Sequence, residues 1–121
     1  MNVAPEPAAA HPELSGRRAL RARLRGERDT FVASDSFAAA AAALASHLRA
    51  ALASLEPACL GLYWPMRSEF NAAAALAADA RFAKVERALP YARRAPTMSM
   101  EFRRWDGSKP SLVDECGIAA S

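Results

Sequence analysis

Residues able to do chemistry are concentrated in two stretches of the chain. The first lies between Arg17 and Arg28, where six arginines fall close together, out of fourteen Arg and two Lys in all. At about 100° per residue of helix, Arg17, Arg21, Arg25 and Arg28 form a stripe about 80° wide, next to an apolar stripe of Leu20, Leu24 and Phe31. Guanidinium forks match phosphate oxygens bidentately, so this row suits a nucleotide or a nucleic acid. A row of charges on a helix serves as often as a solvated face. The second stretch is Trp64 to Asn71 (WPMRSEFN), where Glu69 offers a carboxylate just ahead of a helix start at Asn71. Trp64 and Phe70 offer flat apolar surfaces there. A solvated capping Glu beside core aromatics is the competing reading, and the loop alone defines no catalytic group.

The remaining reactive side chains are scattered. Cys59 and Cys116 lie far apart, with no Cys-x-x-Cys spacing and no His at ligand distance in sequence, and read as reduced thiols. His11 stands in a Pro/Ala tail and His47 in an Ala-rich helix, each without a candidate triad or metal partner. No metal site is expected. The net charge is only +3, so the arginines matter through their arrangement and not through the overall balance.

The elements that must position these residues follow from pattern. Residues 1–12 are rich in Pro and Ala, lack periodicity and read as a disordered lead-in to one domain spanning 13–121. The Arg row lies on a helix from Glu13 to about Thr30. A second helix, capped by Ser34 or Ser36, carries Leu44, Leu48, Leu52 and Leu55 and ends at Pro57. Ala58 to Trp64 is a short apolar run, expected to be a strand buried on both faces. Asn71 caps a helix to about Asp79, Lys84 to Leu89 is a strand closed by Pro90, and Met98 to Trp105 is a third strand ended by Asp106 and Gly107. Strand, helix, strand implies a parallel crossover, so the expected fold class is α/β, with an open, mainly parallel three-stranded sheet and flanking helices.

Although 52% of residues are hydrophobic, about a quarter of the chain is Ala, which contributes little apolar area, and the core is expected to be thin. Such a sheet is expected to leave a strand edge uncovered, favouring self-association. No apolar run is read as approaching the roughly 18 residues that span a bilayer, and Met1 to Pro12 lacks a secretory pattern, so the expected location is cytoplasmic.

Taken together, the segments resemble the 5-formyltetrahydrofolate cyclo-ligase (methenyltetrahydrofolate synthetase) family over nearly all of the chain after the lead-in. That family opens with a helix of the form Lys-x-x-Leu-Arg followed by further Arg; here it reads RALRARLRGER, with Arg17 at the Lys position and Leu20-Arg21 in register. LYWPMRSEFN, with Phe70 after Glu69, is matched to its strand leading into a loop that ends in Glu and an aliphatic residue before a helix. ALPYARR matches its Leu-Pro strand, and MSMEFRRWDGS with CGIAAS matches its Met-x-Phe strand, Trp, Gly and Gly-Ile turn. No single motif is specific; their order and spacing carry the likeness.

The resemblance implies an incomplete part of a Rossmann-like cyclo-ligase fold. By it, Arg17 and Arg21 contact ATP phosphates, and Trp64 and Glu69 line the folate pocket. The implied reaction is ATP-dependent cyclisation of 5-formyltetrahydrofolate to 5,10-methenyltetrahydrofolate, releasing ADP and phosphate with Mg²⁺ present, a chemistry that needs positioned cations more than a protein nucleophile. Two departures stand out. Arg17 replaces a Lys, and the family's Gly-rich segment, which contributes nucleotide, substrate and Mg²⁺ contacts, has no counterpart in these 121 residues. The metal ligands are therefore expected beyond this chain, and the chain alone is expected to be inactive. A small Arg-rich nucleic-acid-binding protein and a noncatalytic remnant are the alternative readings.

Overall fold

The computed structural model describes residues 12–121. The chain divides into two compact units, one ending at Phe37 and the other beginning at Ala38, and each is described by itself.

The first unit is built on helix α1, Pro12–Val32. Proline suits a first helical position, where its missing N–H would find no intrahelical partner. The lead-in expected over residues 1–12 otherwise lies outside the described residues. After α1 the chain turns sharply. The Ser34 hydroxyl donates to the Phe31 carbonyl at 2.6 Å, the Phe37 N–H donates to the Ser34 carbonyl, and Phe31 and Phe37 meet edge to face with ring centroids 6.4 Å apart. With its hydroxyl turned back to α1, Ser34 does not cap the next helix; Ser36 immediately precedes that helix.

Helix α2, Phe37–Leu55, leads into the second unit. The four leucines it carries divide: Leu48 and Leu52 pack with Ala53 against the core, whereas Leu44 and Leu55 are exposed. By length and composition α2 is apolar enough to cross a membrane, which corrects the sequence reading that no such run exists. Alanine supplies most of that apolar character. One side of α2 is nevertheless used within the unit, where Arg49 donates from Nη1 to the Ala75 carbonyl at 3.3 Å and lies 3.9 Å from Asp79.

The sheet consists of β1 (Cys59–Gly61), β2 (Glu86–Arg93) and β3 (Ser99–Trp105), in the order β1-β2-β3. Helix α3, Ala72–Ala77, and a 3-10 turn, Ala80–Phe82, join β1 to β2. Asn71 caps α3 as expected, its side chain accepting from the Ala74 N–H at 3.0 Å. Asp79 then caps the 3-10 turn. A hydrogen-bonded ion pair with Arg81 holds its carboxyl below the usual range.

The expected mainly parallel sheet is corrected to a mixed one. β1 and β2 are parallel, but β2 and β3 are antiparallel. Residues 94–98 are too short a link for the dozen or more residues that a parallel crossover requires, so the chain folds back on itself. β1 is also not buried on both faces. Leu60 and Leu62 are buried while Cys59, Gly61 and Tyr63 are exposed, because only one face of the sheet carries the core. That core joins Leu60, Leu62, Leu89 and Trp105 to Ala72, Leu76 and Phe82. Cys59 is a free thiol, as expected, but lies exposed instead of buried.

The second strand does not stop at Pro90. The Leu62 N–H donates to the Ala88 carbonyl at 2.8 Å, so alternate residues from Ala88 direct their backbone groups toward the β1 side of β2. Pro90 therefore lacks its N–H on a side where β1 has already ended, and no ladder bond is lost. Two residues further on, the same side of Ala92 is occupied by the turn that contains Gly117 and Ile118, whose short flanking strands the sequence reading did not include. Strands β4 (Leu112–Val113) and β5 (Ala119–Ala120) form a small antiparallel hairpin. In the turn between them Asp114, 6% exposed, accepts from the N–H groups of Cys116, Ile118 and Ala92 at 2.9–3.0 Å. The Glu115 N–H donates back to the Ala92 carbonyl.

The Ile118 hydrogen bond, supported by those from Ala92 and Cys116 and opposed by burial, holds the Asp114 carboxyl below its ordinary value. A lowered folded value means that Asp114 adds stability above the unfolded carboxylate range, about pH 4. That contribution fades as the pH falls through the lower folded value. Asp114→Asn should accordingly lower the melting temperature at neutral pH and flatten the loss of stability on acidification. Thermal melts of parent and variant between about pH 2 and 7 measure this, and superimposable profiles would remove the stabilising role assigned to Asp114.

Candidate functional site

Residues 62–71 leave the carboxyl end of β1 and return at α3, the position where open α/β sheets bind ligands. Two hydrogen bonds close the middle of the loop on itself. The Glu69 N–H donates to the Met66 carbonyl at 3.1 Å, and the Met66 N–H donates to Glu69 Oε1 at 2.8 Å. Arg67, at the bend, adopts a left-handed φ of 53°. Glu69 is half-buried, and its carboxylate has acceptor capacity beyond the Met66 bond. It thus helps build the loop and also offers an acceptor to a ligand.

Trp64 is partly buried and packs against the core, its ring edge to face with Trp105 at 6.1 Å. Phe70 packs against the same core. These aromatics are walls of the loop's base and not free platforms. Tyr63, unremarked in the apolar run of the sequence, donates its hydroxyl to the Phe70 carbonyl. Burial raises the phenol above its ordinary ionisation range, the nearby Glu69 carboxylate raises it further, and a backbone hydrogen bond at Ala72 offsets part of the rise.

Of the residues singled out by sequence, Trp64 and Glu69 therefore share one loop. Arg17 and Arg21 belong to the other unit, on α1, where both are exposed, as is Arg25. Arg28 is half-buried. Arg23, off the stripe, lies 3.8 Å from Glu27. The stripe is thus a helical face of guanidinium groups, as its spacing predicts. Among the described residues, no group of three or more His, Cys, Asp or Glu is arranged to hold a metal ion.

Sequence reasoning also missed Arg87. Its guanidinium lies over the Trp105 ring, 5.5 Å from the centroid, and Nη2 donates to the Asp106 carbonyl at 3.1 Å. Gly107, at φ 91°, makes room for it, since a Cβ there would come within 2.6 Å of Nη1. This side chain covers Trp105, whose ring in turn meets Trp64 of the 62–71 loop. Nothing in the spacing of Arg87 and Trp105 signals the stacking, which depends on the register that places them opposite each other. Beside it, a cavity of about 380 Å³ is lined by Arg104, Trp105, Ser108, Pro110, Leu112 and Ser121, among others.

Compared with protein-family models, with curated proteins and with solved structures, the chain matches none. The class of protein that the fold defines is an α/β unit with a mixed sheet, joined to a unit carrying an Arg-rich helix.

The Tyr63–Glu69 proximity is open to direct measurement. In a Tyr91→Phe background, which leaves Tyr63 as the only tyrosine, Glu69→Gln should shift the phenol's ionisation midpoint downward, because removing the carboxylate charge eases formation of the phenolate. Burial, the larger cause, stays in place, so the midpoint should remain above that of free tyrosine. Ultraviolet absorbance titration gives the answer, and an unmoved midpoint would mean that Glu69 does not act on Tyr63.

Proposed function

We propose that this chain is the N-terminal part of an ATP-dependent, cytoplasmic enzyme of folate one-carbon metabolism. Its reaction would be cyclisation of 5-formyltetrahydrofolate to 5,10-methenyltetrahydrofolate, in the manner of the cyclo-ligase family that the sequence resembles, on an incomplete part of that family's Rossmann-like fold. The observation that carries the reading is the loop after β1. It supplies a carboxylate, Glu69, and an aromatic wall, Trp64, between the carboxyl end of a strand and a capped helix, in the order the family's motifs would require.

In this reading Glu69 accepts hydrogen bonds from the folate ring, and its bond from the Met66 N–H fixes the orientation of the carboxylate before substrate arrives. Trp64, held by Trp105, provides a wall for the ring. Arg17 and Arg21 contact the phosphates of ATP through charge-assisted hydrogen bonds. ATP, bound with Mg²⁺, supplies the activation of the formyl oxygen. The described carboxylates do not form a metal cage, so no step is assigned to Mg²⁺ through residues of this chain.

Titration calorimetry with ATP and Mg²⁺, and separately with 5-formyltetrahydrofolate, tests the assignment. Arg21→Ala should weaken ATP binding by roughly 10- to 100-fold, the range for loss of a hydrogen bond to a charged group, with the helical content unchanged. Glu69→Gln should weaken the folate and leave ATP alone. ATP affinity unaffected by the Arg21 change would withdraw that residue from the site. Steeply salt-dependent binding to DNA or RNA, lost in the same variant, would instead favour a nucleic-acid-binding protein.

A further inference from the structure

Among the described residues the outer edge of β3 is unpaired at Met100 and Phe102 and is touched at Arg104 by Ser121, and the alternation of the sheet fixes which groups it offers. Because Ala88 and Ala92 direct their backbone groups toward the β1 side, Arg87, Leu89, Tyr91 and Arg93 direct theirs toward β3. Their partners Trp105, Arg103, Glu101 and Ser99 are thereby used within the sheet. The backbone groups of Met100, Phe102 and Arg104 face outward. The Ser121 hydroxyl, which donates to the Arg104 carbonyl at 3.1 Å, agrees with that direction and leaves the carbonyl a second acceptor site. Among the described residues, nothing pairs with the outward groups of Met100 and Phe102. The strand has neither a proline nor a bulge to blunt its edge, and Met100 and Phe102 are 62% and 56% exposed.

We propose that β3 pairs antiparallel with β3 of a second copy of this chain, about a two-fold axis at Phe102, so that the two sheets become one continuous sheet. Within the chain Glu101 already pairs with Arg93 at 2.8 Å and with Arg103 at 2.9 Å; across the two-fold the same charges would extend that network to the second copy and favour one register. With Phe102 opposite its own copy, Glu101 lies opposite the second copy's Arg103, and Arg103 opposite its Glu101. Moving the axis to Glu101 or to Arg103 would set like charges face to face, which opposes pairing. The chosen register also makes Phe102 a hydrogen-bonded pair, using the outward groups that the alternation leaves free.

On the coreless face, the Phe102 ring lies against Gly61 and would meet the ring of its copy, covering apolar surface that is now in water. A two-fold contact of this kind uses the same strand on both copies and closes on itself. The sheet's other edge strand, β1, is only three residues long, too short to propagate the sheet into a fibre.

The test uses the full chain and two charge reversals. Sedimentation velocity over a range of concentrations should give a reversible dimer for the parent. Glu101→Arg and Arg103→Glu should each dissociate it, weakening association at least tenfold, because each variant alone places like charges across the axis. A mixture of the two variants should recover a one-to-one heterodimer, since the two basic side chains of the first variant then oppose the two acidic side chains of the second. A misfolded variant could not give that recovery. A parent that stays monomeric, or a mixture that associates no better than its components, would overturn the proposal.

Discussion

β2 lies in the middle of the sheet and must find partners for backbone groups on both of its edges, since a buried N–H or C=O left unpaired costs as much as a lost hydrogen bond. On one edge the requirement is met along the whole strand by β3, through seven consecutive residue pairs from Arg87–Trp105 to Arg93–Ser99. On the other edge it is met in pieces. β1 covers the stretch to Ala88, Pro90 has no N–H to satisfy, and Asp114 with Glu115 takes over at Ala92. The position of the β4–β5 hairpin, which no apolar pattern marks, follows from this requirement. So does the tolerance of a proline inside a central strand.

The same strand organises the core. Leu89, 1% exposed, sits among side chains from β1, α3, the 3-10 turn and β3, and burial of a leucine of this kind contributes about 1.5–3 kcal/mol. Alanine fills much of the covering layer and offers little area, so specific contacts define the layer's edges. Arg49 ties α2 to the end of α3, and Arg87 covers Trp105. With one face covered in this way, the opposite face keeps Cys59, Met100 and Phe102 in solvent. That asymmetry is why β1 reads as apolar throughout yet buries only alternate residues.

The loop after β1 shows how a group in a candidate site can be held by the structure and remain available for chemistry. Glu69 closes its own turn through Met66 and acts electrostatically on Tyr63. Its orientation is therefore set by the backbone, whatever it binds. Trp64 is likewise fixed by Trp105. A ligand entering this loop would meet groups already oriented, which limits the ordering cost of binding.

Local pattern alone determined α1 with its Arg stripe, α2 ending ahead of Pro57, the Asn71 cap and the three strands of the sheet. Each of these depends on residues a few positions apart: helical spacing, a side chain that reaches its own backbone, or a proline that stops a helix. The tertiary structure decided what depends on distant partners. It made the sheet mixed, because the link after Arg93 is too short for a crossover, and it carried β2 through Pro90, because the partner on that side had ended. It also buried Asp114 against Ala92 and set Arg87 over Trp105. Sequence spacing carries no information about which backbone groups lie across a strand pair, and register, which supplies it, exists only once the strands have met.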